Sequence, residues 1–524
     1  MTGEADLVTA LLARAATEPH RVAIRDHRAR SVTYGELGSD VRAVAAHLAA
    51  QGVEPGHGVL LAVRPSPRAV AAALGVVLAG GVVVVADPGA GQALRDVRRR
   101  VVPVQAAVAD TLVHAARHRP LSSLLAWLPS TSGLQLPDLS TAGLVHVVTG
   151  PRLPGVPRSA TRWERLPPAQ SAPVVGDPVR DALVVFTSGS TAAPRAVVHT
   201  LASLSAGVAA AVSALGLDSD DTMHTDQLMI GLPTLVAGAV WSLPPVTASP
   251  DAWLRQAARE SATHAYAVPA KVLAAATRGL PPTVRHVAMG GAPVLPATVR
   301  RLDSLAPGVD VRAVYGLTEA LPVAVATGAD VLASPSGRTS VGRPLPGVSV
   351  RIDRPGPDGV GEVVVRAAQA RHRLAGELPS QEVRTGDLGE LAADGTLLLA
   401  GRAKNMIIRG QANIYPELVE PLLLDRLGDV VRDCALVGLP DAVTGDEHVV
   451  LAVVPVGGLG RAHPSTASRV SRRVHGAWAT LADEAWRPDD VVLVDALPRR
   501  GRSRVVDLDA LRAVVSDDRS GSLR

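Results

Sequence analysis

The sequence predicts an α/β fold with largely parallel sheets, in which a large N-terminal domain precedes a small α+β domain. Two observations carry this. Short Val-rich runs without polar alternation, the pattern of strands buried on both faces, are separated by longer helical stretches. The chain also has 524 residues, more than one hydrophobic core serves, so at least two domains are expected.

In chain order, a helix over 40–50 precedes the strand 59–63 (Val59-Leu60-Leu61-Ala62-Val63), and a helix over 69–78 precedes the strand 82–85. The strand 182–186 is followed by helices over 204–215 and 292–305. Residues 115–175, rich in Pro, Ser and Arg, and the Pro/Gly stretch 353–361 carry no clear period. A second series begins at Gly401 with a polar Gly/Arg loop. It continues with a helix near 416–427, strands at 435–437 and 449–454, and a helix near 465–481. The expected domains are therefore 1–400 and 401–524, the second long enough for a small α+β unit.

A hydrophobic fraction of 47% and a charged fraction of 19% describe an ordinary globular protein. With one Phe, four Tyr and six Trp, the core falls to Val, Leu and Ala. Lys271 and Lys404 are the only lysines, a bias that fits a GC-rich genome. The net charge of +4 is small for this length and its arginines are interspersed with acids, so no nucleic-acid partner is expected. The single cysteine, Cys434, excludes an intramolecular disulfide and a Cys-based zinc site, and suits a small core residue. Residues 1–14 include Glu4 and Asp6 and show no basic-then-apolar leader pattern. Apolar runs fall well short of the ~20 residues that span a bilayer. The expectation is a cytoplasmic protein without a membrane span.

The strongest local signal is Phe186-Thr187-Ser188-Gly189-Ser190-Thr191-Ala192-Ala193-Pro194-Arg195, directly after a Val-rich strand. Small residues let backbone N–H groups approach a polyphosphate, hydroxyls add donors, and Arg195 adds charge. The Gly-Lys-[Ser/Thr] ending of a Walker A loop is missing. On its own the segment also suits a Ser/Thr/Gly surface turn.

At this point the chain resembles the ANL superfamily of adenylate-forming enzymes: acyl-CoA synthetases, peptide-synthetase adenylation domains and luciferases. Their phosphate loop reads roughly Thr-Ser-Gly-Ser/Thr-Thr-Gly-x-Pro-Lys-Gly, so the family lysine is Arg195 and two family glycines are Ala192 and Ala196 here. The resemblance continues in order through Val32–Leu37, residues 80–88, Gly290-Gly291-Ala292-Pro293, Tyr315-Gly316-Leu317-Thr318-Glu319, Gly361-Glu362-Val363, Thr385-Gly386-Asp387 and Gly401-Arg402. It implies a large domain of stacked α/β subdomains with a small mobile C-terminal domain. It further implies ATP and Mg²⁺ as cofactors, a small carboxylic acid as substrate, and CoA or the phosphopantetheine of an acyl carrier protein as acceptor.

The same resemblance suggests roles. Thr187, Ser188, Gly189, Ser190, Thr191 and Arg195 surround the phosphates. Thr318 and Glu319 stand beside the α-phosphate, with Glu319 on Mg²⁺, a cation that prefers oxygen ligands. Alone, Glu319 suits an acid at a helix start. Tyr315 stacks on adenine next to Gly316, with Gly291 and Ala292 opposite; a core role for Tyr315 is the alternative. Asp387 holds the ribose diol, although Thr-Gly-Asp by itself suits a solvated turn, and Arg402 contacts ribose or phosphate. Lys404 is the hinge of the small domain, or a solvated loop lysine. Gly410 and Tyr415-Pro416-Glu417 continue the pattern that lines a thiol's approach.

Three departures stand out. Leu497-Pro498-Arg499-Arg500-Gly501-Arg502-Ser503-Arg504 resembles Leu-Pro-Arg-Thr-x-x-Gly-Lys, so Arg504 takes the position of the adenylation lysine. Arg504 then acts as a slower cation, a neighbouring arginine replaces it, or adenylation is impaired. In the acyl segment Met223-His224-Thr225-Asp226-Gln227, Asp226 and Gln227 are candidates to face a polar substrate, and His224 reads as structural. Finally, Leu321-Pro322 after Glu319 resembles the olefin-pathway β-lactone synthetases, whereas residues 405–420 resemble thiol ligases. The leading expectation is an AMP-forming acid:thiol ligase. A β-lactone synthetase and a non-catalytic nucleotide or acyl binder are the alternatives.

Overall fold

A computed structural model describes residues 6–85, 101–116, 139, 143–169, 177–187, 195–246, 248–380, 382–402, 405–409, 412–414, 416–440, 447–458, 464–481, 487–500 and 505–521. The chain forms two compact units. One comprises Met1–Leu332, Val341–Val350 and Val364–Val383; the other comprises Ala333–Ser340, Arg351–Val363 and Arg384–Arg524.

The first unit is built on two eight-stranded sheets. One runs in the order Ala320–Thr327, Asp310–Leu317, His286–Gly290, His264–Ala267, Thr222–His224, Val240–Leu243, Val22–Asp26, Ser31–Thr33. All neighbours are parallel except the two edge strands. The other runs Arg373–Leu374, Arg195–Thr200, Asp181–Thr187, Val82–Val85, Gly58–Ala62, Val104–Asp110, Val145–Thr149, Thr161–Arg162. It is parallel from Asp181–Thr187 onward and antiparallel at its first two joins. The expected largely parallel α/β architecture is thus present in this unit, with the antiparallel joins gathered at the ends of each sheet.

Helices fill the space against these sheets. The helix Tyr34–Ala50 starts at a capping box in which Thr33 accepts from the Glu36 N–H and Glu36 accepts from the Thr33 N–H. Its Tyr34, Leu37, Val41, Val44 and Leu48 fall at helical spacing and are fully buried. They join one core with Val59, Val83 and Val108 of one sheet and Ile24 and Trp241 of the other. Burying each such side chain contributes about 1.5–3 kcal/mol. Pro67–Leu78 crosses this helix closely, because a Cβ at Gly75 would stand 2.7 Å from the Val44 Cβ. The helix expected from 292 begins instead at Pro296. Gly291 turns the chain with φ +74°, and Pro296 supplies a preset φ at the first helical turn.

A five-stranded sheet runs Thr339–Ser340, Leu397–Arg402, Glu382–Leu391, Gly361–Arg366, Ser349–Asp353. Further along, Val431–Pro440, Glu447–Pro455 and Asp490–Leu493 form a three-stranded sheet. Alternate residues of its strands face opposite cores. Leu436, Leu451 and Val453 pack with Leu423 and Trp478 of Pro416–Leu427 and Pro464–Leu481. Val437, Val450 and Ala452 pack with Leu511 and Val515 of Leu508–Gly521. Cys434 is buried, and burial pushes its thiol pKa up, as suits a core residue. Among the described residues no helix is long and apolar enough to cross a membrane.

Candidate active site

In open α/β sheets, ligands bind beyond the carboxyl ends of parallel strands. Four adjacent parallel strands of the first sheet end together: Thr222–His224, His264–Ala267, His286–Gly290 and Asp310–Leu317. Gly290 pairs with Val314 across the last join. A Cβ at Gly290 would lie 2.5 Å from the Tyr266 hydroxyl and 2.9 Å from the Val314 carbonyl, so glycine permits this close approach. Gly291 and Ala292 follow, exposed. The half-buried Tyr315 stands on the neighbouring strand, one residue past Val314.

Asp310–Leu317 and Ala320–Thr327 form a hairpin in which Leu317 pairs with Ala320, leaving Thr318 and Glu319 as its turn. Gly316 sits in the irregular register between Tyr315 and Leu317. Glu319 is therefore not at a helix start. Glu319 is half-buried and Thr318 is exposed. The turn is tied down from two sides. His199 Nε2 donates to the Thr318 carbonyl at 2.7 Å, and the Arg371 N–H donates to the Glu319 carbonyl at 2.6 Å. Next to it, Ala320 bridges Ala370, and Gln369 Nε2 donates to the Pro322 carbonyl at 2.7 Å.

His199 belongs to the strand that leaves the Ser/Thr-rich loop. Asp181–Thr187 and Arg195–Thr200 pair antiparallel with Thr187 opposite Arg195, so a ladder closes the loop's base. Ser188, Gly189, Ser190 and Thr191 lie outside the described residues, and Thr187 and Arg195 are described by their backbone alone. Burial, with the Arg371 charge adding to it, holds His199 below the ordinary imidazole range, against the pull of its bond to Thr318. The neutral ring is the form that donates from one nitrogen only.

Arg371 was not singled out in the sequence. Its side chain is only 8% exposed, and its Nε and Nη1 have no hydrogen-bond partner among the described residues. Its Nη2 stands 4.0 Å from Glu377, which is 55% exposed. One arginine in an arginine-rich chain carries no pattern; burial alone distinguishes it.

The second unit holds the Thr385-Gly386-Asp387 group. It lies in the strand Glu382–Leu391, with Asp387 opposite Arg402 of Leu397–Arg402. Asp387 is 5% exposed, so it is no solvated turn residue. Arg402 Nε lies 2.8 Å from Asp387 Oδ1, and Arg402 is about half exposed. Thr385 Oγ1 donates to the Val363 carbonyl at 2.8 Å and accepts from the Asp387 N–H at 3.0 Å. Gly386 supplies the φ of +69° and donates its N–H to Glu362 at 3.3 Å. Lys404, Gly410, Tyr415 and Arg504 lie outside the described residues.

Beside the Tyr315 strand lies a small apolar cavity of about 10 Å³, room for one water-sized group, lined by Gly207, Ala211, Met229, Ile230, Leu321 and Pro322 among others. Ile230 and Leu321 share a core cluster with Tyr266. Near the carboxyl ends of the strands, Asp226 accepts from Lys271 Nζ at 2.9 Å and from Gln227 Nε2 at 3.0 Å. Both members of that ion pair are largely buried. Burial, followed by the Asp226 charge, pushes the Tyr266 hydroxyl pKa up to about 12. His224 is fully buried, bonded to Ser242 Oγ at 2.8 Å and set edge-on against Trp253. Burial takes its pKa down to about 3, so it stays neutral near pH 7.

The residues suit Mg-ATP chemically. Among the described residues, no group of three His, Cys, Asp or Glu side chains could hold a metal by itself. A lone carboxylate such as Glu319 suits Mg²⁺, which takes its remaining ligands from water and substrate phosphates. The unpartnered N–H groups of Arg371 call for an anion, and the buried Asp387 offers acceptors to a diol.

Comparison with known proteins agrees. The AMP-binding enzyme family profile matches residues 11–371. The chain is 28% identical to an olefin β-lactone synthetase of Xanthomonas campestris over 85% of this chain and 86% of that protein. It is 28% identical to a feruloyl-CoA synthase of an Amycolatopsis species over 94% and 96% of the two chains. Against two further CoA ligases the chain spans only 46% and 64% of the relative's length. Among solved structures, an amide bond synthetase from Marinactinospora thermotolerans superposes with a TM-score of 0.75 at 26% identity, covering 97% of this chain and 99% of that one.

Proposed function

Because the chain belongs to the AMP-binding enzyme family, we propose that it activates a carboxylic acid with Mg-ATP and passes the acyl group to a thiol. In the first step a carboxylate oxygen attacks the α-phosphorus, the bond to the β-phosphate oxygen breaks, and pyrophosphate leaves. In the second a thiolate attacks the acyl carbon and AMP leaves. Both partners of the first step are anions, so charge neutralisation and in-line placement are what the protein must provide.

The observation that carries this reading is the Thr318-Glu319 hairpin turn, held at the carboxyl ends of the parallel strands by His199 and the Arg371 backbone. Thr318 binds the α-phosphate, and Glu319 holds Mg²⁺, which neutralises phosphate charge. Tyr315 packs on one face of adenine, with Gly316 allowing it close approach and Gly291 and Ala292 on the other face. Asp387 binds the ribose hydroxyls and Arg402 orients Asp387. Thr187, Ser188, Gly189, Ser190, Thr191 and Arg195 cradle the outgoing phosphates. Arg504 meets the reacting carboxylate. Residues 401–524 form the small domain, with Lys404 as its hinge. The thiol belongs to CoA or to a carrier protein's phosphopantetheine.

A second reading has one observation in its favour. Leu321 and Pro322 follow Glu319 in the pattern that resembles the β-lactone synthetases, and the chain is similar to one of them; on this reading the hydroxyl of a β-hydroxyacyl-AMP attacks its own acyl carbon and AMP leaves. Acid-dependent pyrophosphate release, measured over a panel of fatty, β-hydroxy and aryl acids without CoA, tests activation. Adding CoA tests the acceptor. Thioester supports the ligase, lactone formed without a thiol supports the second reading, and silence from both sends the protein to a non-catalytic binder.

A further inference from the structure

We propose that Arg371 is a direct ligand for a phosphoryl oxygen of the bound nucleotide, a subsite formed with the Thr318-Glu319 turn and His199. The inference rests on the nucleotide-activation reading above and adds a residue to it.

The argument begins with an unsatisfied group. Arg371 is nine-tenths buried, and among the described residues its Nε and Nη1 donate to nothing. A guanidinium is always charged and carries five donors in a rigid fork. Leaving such donors buried and unpaired forfeits their hydration without return. The acid within reach, Glu377, stands 4.0 Å from Nη2 and is more than half exposed, so it does not serve Nε or Nη1. A buried cation kept in this state is complementary to an anion that arrives later.

The neighbours narrow what that anion is. The Arg371 N–H is bonded to the Glu319 carbonyl, which fixes the residue at the turn. His199, which the Arg371 charge helps keep neutral, uses its Nε2–H on the Thr318 carbonyl. Next in the chain, the His372 N–H bonds the Val198 carbonyl and the Ala375 N–H bonds the Ala196 carbonyl. Segment 371–375 therefore runs along the strand that leaves the Ser/Thr-rich loop, and along the turn that carries Glu319. The Arg371 charge reaches His199, the residue bonded to the Thr318 carbonyl, so the guanidinium lies close to that turn, and its fork geometry suits phosphate oxygens. The strand-end ion pair of Asp226 with Lys271, by contrast, is internally satisfied and needs no ligand.

The test is direct binding to the full chain, by calorimetry, with Mg-ATP and with adenosine as the phosphate-free probe. Arg371→Met should weaken Mg-ATP by about 10- to 100-fold and change adenosine by less than about twofold, since a charge-assisted contact is lost from the phosphates alone. Arg371→Lys should recover part of the loss. Without nucleotide, the melting temperature of Arg371→Met should equal or exceed that of the wild type, because removing an unpaired buried charge relieves a cost. Equal ATP affinity in wild type and Arg371→Met overturns the inference alone. So does an equal loss for ATP and adenosine with a lowered melting temperature, which marks a structural arginine. If Arg371→Met does not fold, Arg371→Gln is measured against the same criteria. Wild-type protein that binds no ATP overturns the nucleotide reading and this inference with it.

Discussion

Asp387 allows a test in which substrate and protein are altered together. If it holds the ribose diol, Asp387→Asn and removal of the 2′-hydroxyl from ATP must report on one contact. A hydrogen bond to a charged group contributes about 1.5–3 kcal/mol, or roughly 10- to 150-fold in affinity. Asp387 Oδ1 already carries the Arg402 ion pair at 2.8 Å, so one oxygen is shared and the lower part of that range applies. The wild type should therefore prefer ATP to 2′-deoxy-ATP by about 10- to 30-fold in kcat/KM for pyrophosphate release. In Asp387→Asn the preference should shrink to within about threefold, a coupling of more than about 0.7 kcal/mol. The fold should survive, since Asn fills the same volume and the ion pair it breaks has a half-exposed arginine, worth at most about 1 kcal/mol. Steady-state pyrophosphate assays on the four combinations provide the cycle. Unchanged discrimination in Asp387→Asn, beside clear discrimination in the wild type, would refute Asp387 as the ribose ligand.

Glu319→Gln keeps the turn but loses the charge, and should lower Mg-dependent pyrophosphate release by about 10²-fold; unchanged turnover over a Mg²⁺ titration would sink the metal role. Arg504→Lys should raise adenylation if the arginine is a slower cation at a fitted site, and a rate no higher than the wild type's counts against that idea. His224 binds its proton only near pH 3 when folded but near pH 6.5 when unfolded, so stability is whole above pH 6.5 and falls as pH drops toward 3. At pH 5 this one group costs about 2 kcal/mol, and urea melts of His224→Gln should show a correspondingly shallower decline between pH 7 and 5. Gly231→Ala would drive a Cβ into the Trp241 ring and should cost at least about 1–3 kcal/mol in the same melts; a stability equal to the wild type's would show that helix Leu228–Ala237 can shift away.

Which features were legible follows from the range of the forces that set them. The run Val82–Val85 and the helix Pro416–Leu427 appear where expected, because four successive β-branched residues and a proline at the first helical turn act locally. The antiparallel edge strand Arg373–Leu374 was not foreseen, since its direction is set by Val197 and Val198, 175 residues earlier in the chain (373 − 198). Local motifs misled for the same reason. Thr385-Gly386-Asp387 has turn composition but lies in a strand, where Thr385 spends its hydroxyl on Val363 and Asp387 is covered. Glu319 has helix-start composition but lies in a hairpin turn.

Arg371 is the extreme case, and it bears on Arg195 and Arg504, which the resemblance sets where family members carry lysine. Lysine is a compact charge that adjusts to a moving phosphate, whereas arginine must be placed. A chain that has taken arginine at both positions depends more on rigid placement of its cations. Arg371 is placed rigidly, by its own N–H on the Glu319 carbonyl and by strand pairing immediately after it. If its guanidinium takes phosphate charge, Arg195 and Arg504 need supply less, and the loss of lysine there becomes tolerable.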